Sequence, residues 1–176
     1  MSKRFSLILL TLLGFSCKQP GIVKFQVPYE SSITVPSSTG ANLPLNLFSP
    51  EVSTTNAAEF ELNDTRVDLL TSLILNKLEL TISAPNNANF DFLKSITIFI
   101  NAQDLPEVEI ARLQDIPDSG SKTINIPSTK VELKEYIKKG KFTLKANTVT
   151  DRFISQDIQI KVNTLFDAEA TVIKSR

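Results

Sequence analysis

The chain has 176 residues, 41% of them apolar and 22% charged, with 19 Lys and Arg balanced by 19 Asp and Glu; neither a disordered tail nor a strongly basic nucleic-acid binder has such totals. It contains no His, no Trp and a single Cys, which removes a Ser-His-Asp triad, a Cys-His nucleophile, an imidazole metal site, a structural zinc site and an internal disulfide. A single domain, or at most a small pair, is expected at this length, and a domain of this size hides roughly 70% of the surface of its unfolded chain.

At the start, Lys3 and Arg4 precede an apolar run over residues 5–13, broken only by Ser6 and Thr11, and then Gly14-Phe15-Ser16-Cys17. A charged opening, an apolar middle and small residues at a cut form a secretory signal. The apolar run is about half of the ~20 residues a spanning helix needs. With cleavage before Cys17, residues 1–17 resemble the lipobox signal of bacterial lipoproteins, whose cysteine sulfur takes a diacylglyceryl group before a dedicated peptidase cuts. Gly14 stands where that pattern commonly has Leu. Gly14 and Ser16 are also the small residues an ordinary signal peptidase selects, a rival that would release a soluble protein beginning with free Cys17. The lone cysteine favours acylation, because an unpaired thiol in an oxidising compartment is a liability.

The resemblance implies that residues 1–16 are removed, that Cys17 is the lipid attachment site, and that the lipid bilayer is a partner through two or three acyl chains, palmitate among them. Each buried CH₂ adds about 0.8 kcal/mol, so two or more chains give lasting attachment. Without Lys3 and Arg4 the body carries 17 basic against 19 acidic residues, so it is not drawn to nucleic acid or to an anionic bilayer. Lys18, in place of an Asp after the cysteine, implies outer-membrane delivery by analogy. The absence of an acidic cluster there implies a face turned to the periplasm.

Residues 17–50 hold Pro20, Pro28, Pro36, Pro44 and Pro50 between short apolar pieces. Proline cannot donate to a ladder, so this region reads as anchor and tether or as edge strands. From residue 78 a period of two sets in: Leu78, Leu80 and Ile82; Ile96, Ile98 and Ile100; Val108 and Ile110; Ile124 and Ile126; Phe142, Leu144 and Ala146. The last run, from Ile158 through Ile160, Val162, Thr164, Phe166, Ala168 and Ala170 to Val172, alternates with polar residues except at Leu165, where a bulge would relieve the length. Turns are expected at Pro85-Asn86-Asn87, Leu105-Pro106 and Pro117-Asp118-Ser119-Gly120.

One helix is expected after Thr129, with Thr129 and Glu132 as a capping box, Leu133, Tyr136 and Ile137 on one face, Lys138 and Lys139 in the last turn and Gly140 as the C′ residue. A second candidate opens at Asn63-Asp64, with Val67, Leu70 and Leu73-Ile74 behind it, and strand is an equal expectation after Leu70.

The candidates for chemistry are sparse. Asn86, Asn87, Asn89 and Asp91 put four oxygen-bearing side chains within six residues, a weak cation candidate without EF-hand spacing. Asp64 and Asp68 could share a helical face as a carboxylate pair. Lys134, Lys138, Lys139, Lys141 and Lys145 form a basic patch diluted by Glu132 and Glu135. Of eleven Phe, Phe25, Phe142 and Phe166 fall on expected core faces. With Trp absent and only Tyr29 and Tyr136 available to stack a sugar, a carbohydrate module has little to offer. No glycine-rich phosphate loop is present, and no cofactor is expected.

These readings converge on an all-β protein, an immunoglobulin-like antiparallel β-sandwich over residues 51–176 with one short bridging helix. The function expected is a non-catalytic scaffold or protein-interaction module of the envelope, its protein partner unknown. The alternative is a ligand- or lipid-binding module with a cavity lined by Ile96, Phe142 or Phe166, and a carboxylate hydrolase is a third class.

Overall fold

The computed structural model of the chain describes residues 21–37, 44–53 and 58–172. In order these form β1 (Ile22–Val35), β2 (Pro44–Phe48), β3 (Val52–Ser53), helix α1 (Ala58–Leu62), β4 (Leu70–Ala84), β5 (Leu93–Ala102), β6 (Val108–Leu113), β7 (Thr123–Asn125), helix α2 (Lys134–Lys138), β8 (Lys141–Thr150) and β9 (Ile158–Thr171). Single 3₁₀ turns at Val67–Leu69 and Phe90–Phe92 lead into β4 and β5. One sheet has the order β1-β9-β4-β7, the other β2-β8-β5-β6 with β3 also on β8, and every pairing is antiparallel.

Two antiparallel sheets face to face are what the alternation of apolar residues predicts. With β2 and β3 taken as one edge interrupted at Pro50, the chain changes sheet at every connection except β5 to β6. That order is a jelly roll, where an immunoglobulin domain would run ABED on one sheet and CFG on the other. The inner faces supply the core: Leu75, Leu78, Leu80, Ile160 and Phe166 from one sheet, Ile96, Ile98, Ile100, Phe142 and Leu144 from the other, all buried.

Strand β4 explains why its sequence reads ambiguously. It carries an extra residue relative to β9 at three places, between Leu70 and Ser72, Leu75 and Lys77, and Ile82 and Ala84. The extra residues are polar, and each turns its side chain onto β9: Thr71 Oγ1 donates to Glu169 O at 3.0 Å, Asn76 Nδ2 to Asp167 Oδ1 at 3.0 Å and Ser83 Oγ to Gln159 O at 3.2 Å. Each bulge moves the inward face by one position. Leu70, then Leu73 and Leu75, then Leu78, Leu80 and Ile82 therefore all point inward. The second helix candidate is thus one 3₁₀ turn followed by strand. The bulge expected near Leu165 lies opposite it on β4, so β9 keeps its alternation unbroken.

The proline-rich pieces lie at sheet edges, β1 beside β9 and β2 beside β8. Val172 N donates to Gly21 O at 2.9 Å and Thr164 Oγ1 to Tyr29 O at 3.0 Å. Odd-numbered residues of β1 consequently turn their backbone groups to β9, and even-numbered ones turn theirs outward. Pro28 falls on the outward set, where its missing N–H removes no ladder bond and interrupts the free edge.

Helix α2 is shorter than expected, and its capping box does not form. Thr129 Oγ1 donates instead to Glu109 O at 2.9 Å, and Lys130 adopts φ 58°. Glu132 reaches across to β4, where its carboxylate accepts from Leu73 N and Ser72 Oγ, both at 2.8 Å, and from Lys134 N at 3.0 Å. Gly140, at φ 80°, ends the helix as expected, its N–H on Ile137 O at 3.1 Å.

Candidate functional site

The sandwich has a near end, where Gly21 meets Val172, and a far end, where Val35 pairs with Ile158. The near end is closed by Phe60 of α1 and by Leu133, Tyr136 and Ile137 around α2, all buried. Beneath them is a cavity of about 160 Å³ lined by Val27, Tyr29, Phe60, Leu73, Phe142 and Phe166, among others. Phe25 packs edge-on against Phe60 with ring centroids 5.3 Å apart. Burial raises the Tyr29 hydroxyl above its ordinary value, with Ser31 pulling the other way. Ile96 lines a separate recess of about 30 Å³ in the middle of the sandwich.

The far end is built from three polar connections, β4 to β5, β6 to β7 and β8 to β9, over buried Phe90, Phe92 and Ile154. Asn89 Oδ1 accepts from Asp91 N at 3.1 Å, which starts the 3₁₀ turn. Asp91 Oδ1 accepts from Gly120 N at 2.8 Å, and Gly120 takes φ 67°, where a side chain would be strained. Arg152 stands between two carboxylates: its Nη1 is 3.9 Å from Asp91 Oδ2, and its Nη2 pairs with Asp118 Oδ2. Asn87 Oδ1 faces Gln156 Nε2 at 3.5 Å. Asn87, Asn89, Asp91, Arg152 and Gln156 line a polar recess of about 190 Å³ with Phe153, 59% exposed, on its wall.

Three of the four residues of the cation candidate, Asn87, Asn89 and Asp91, line this recess, while Asn86 does not. Asn89 and Asp91 already hold backbone N–H groups, so their oxygens do the work of a turn. The guanidinium of Arg152, 3.9 Å away, is the cation that faces Asp91.

The other candidates disperse. Lys134 donates to Thr71 O, Lys139 lies 3.9 Å from Asp104, Lys141 pairs with Glu51 at 2.7 Å, and Lys145 pairs with Glu107 at 2.9 Å while covering the Phe99 ring. Glu51 also raises the ammonium of Lys141 above its ordinary range. Four of the five lysines thus have partners, Lys138 is exposed, and the patch is a solvated surface. Asp68 pairs with Arg66, and Asp64 is exposed at φ 51°. Tyr136 is buried, its hydroxyl donating to Pro106 O at 2.7 Å, so neither tyrosine presents a free ring; the exposed aromatic rings among the described residues are Phe48 and Phe153. Phe142 and Phe166 are core, as expected, and Phe25 packs on it. Cys17 lies outside the described residues. Among those residues no helix is long and apolar enough to cross a membrane.

No family model and no curated protein matches the chain. Among solved structures it is similar to the decameric BFDV capsid protein at 9% identity and a TM-score of 0.46, over 85% of this chain and 99% of that one. It is also similar to Desmodium yellow mottle tymovirus at 12% and 0.30, over 99% of both chains, and to turnip yellow mosaic virus at 12% and 0.30, over 89% and 98%. At such TM-scores these likenesses say nothing of what this chain does.

Proposed function

We propose that the chain is an exported bacterial lipoprotein, held at the outer membrane by acylated Cys17. Its jelly-roll body is a non-catalytic scaffold or protein-interaction module facing the periplasm. The observation that carries this reading is the lone cysteine at the end of a charged, apolar and then small-residue segment. The start of β1 at Ile22 supports it, because four residues separate that strand from Cys17, a reach of at most about 18 Å. So short a tether keeps the body beside its membrane and raises its effective concentration toward a partner there.

The cavity volumes favour a scaffold over a lipid-handling module. A space of about 160 Å³ under Phe142 and Phe166 matches an engineered void of about 150 Å³ that takes one benzene, far short of an acyl chain. Asp91 and Asp118 both face Arg152, and Asp91 also accepts from Gly120 N, so their oxygens serve an ion pair and a turn in place of a hydrolytic pair.

The anchor is tested by globomycin treatment or by Cys17→Ala, followed by detergent partitioning. The mutant is expected in the aqueous phase, and unchanged membrane association would refute acylation as the cause. Crosslinking in intact cells then tests the scaffold role by capture of an envelope protein.

A further inference from the structure

The ion pairs at the far end leave a neutral set of groups facing solvent. Arg152 engages both Asp91 and Asp118, and Asn89 holds the Asp91 N–H. What remains is the amides of Asn87 and Gln156, joined by a long 3.5 Å contact, the exposed Ser155, and the Phe153 ring. An apolar plate 59% open to water beside amides and a hydroxyl is complementary to a molecule with one C–H face and a rim of hydroxyls.

From this geometry we infer that the far-end recess binds a neutral pyranose sugar. Phe153 stacks against the ring face, and Asn87, Ser155 and Gln156 exchange hydrogen bonds with the hydroxyls. A volume of about 190 Å³ suits one ring. The guanidinium of Arg152 is already occupied, and Asp151 and Asp157 flank it in sequence, so an acidic or phosphorylated sugar meets excess negative charge. The inference stands independently of the lipid anchor. If that anchor holds, the fourteen residues of β1 set the recess about 43 Å from the membrane-proximal end.

The test is calorimetric or NMR titration of the purified full chain, in mild detergent, with glucose and N-acetylglucosamine as neutral probes and glucuronate as the acidic one. Saturable binding of a neutral probe with a dissociation constant on the order of 1 mM is expected. Phe153→Ala should weaken it roughly two- to tenfold, and Gln156→Ala should weaken it as well. Both side chains are exposed, so the thermal midpoint should stay put in each variant. The inference is overturned if neither neutral sugar binds by about 50 mM, if both variants bind as the parent does, or if glucuronate binds more tightly than glucose.

Discussion

Glu132 shows how one side chain can serve a different element from the one its spacing suggests. Its position three residues after Thr129 resembles a capping box, yet its carboxylate accepts from Leu73 N, Ser72 Oγ and Lys134 N. Burial works to raise its carboxyl pKa, but the two backbone N–H groups, then Ser72 and the Lys134 charge, outweigh that and hold it below the ordinary value. A folded-state pKa below the unfolded one stabilises at neutral pH, and the contribution fades as pH falls from about 4.3 through the lower folded value. Glu132→Gln should therefore cost roughly 1 kcal/mol at pH 7, a figure kept small by solvent exposure of the residue. The difference in urea midpoint between the two proteins should narrow by about pH 3. No local pattern pointed to this role, because Leu73 and Glu132 meet only once β4 and the α2 segment are packed.

At the scale of elements, β4 matters most. Its apolar residues fall at steps of three and two, which reads as helix or strand until β9 is beside it. The polar bulge residues reconcile the two periods, each tied to β9 by its own side chain. Deleting Asn76 would leave Lys77 alone between Leu75 and Leu78, a plain ladder in which Leu78, Leu80 and Ile82 still face inward. Deleting Glu79 instead, inside the regular stretch, would turn Leu80 and Ile82 outward, and each contributes about 1.5–3 kcal/mol by burial against the roughly 5–15 kcal/mol that holds a domain. The Asn76 deletion should keep a cooperative transition by circular dichroism, and the Glu79 deletion should lose it or be insoluble. Asn76→Ala keeps the residue count and loses one exposed hydrogen bond, so it should fold and unfold within about 1 kcal/mol of the parent. Strands β5, β8 and β9 were legible without such help, since alternation over six or more residues directly reports a half-buried surface.

For the whole molecule, β9 is the joint. It lies between β1 and β4, so the first and last described strands pair along their full lengths, Ile22 with Thr171 through Val35 with Ile158. Truncation after Asp157 would leave β1 without a neighbour and uncover Leu75, Leu78 and Leu80, and no cooperative unfolding transition should survive in calorimetry. Such non-local pairing also places refolding of the full chain in the millisecond-to-second range. The same long-range geometry makes the far-end recess, where Asn87 and Asp91 meet Arg152, Phe153 and Gln156 from another connection. Cluster reading along the chain found the first two and missed the others. The order of residues alone determined the all-β class, most strand positions from residue 78 onward and the lone cysteine that argues for an anchor, because each is a local property of the sequence. Tertiary packing decided the jelly-roll order, the partner of Glu132 and the setting of Phe153, because each depends on which distant segments become neighbours, and spacing along a chain carries no record of that.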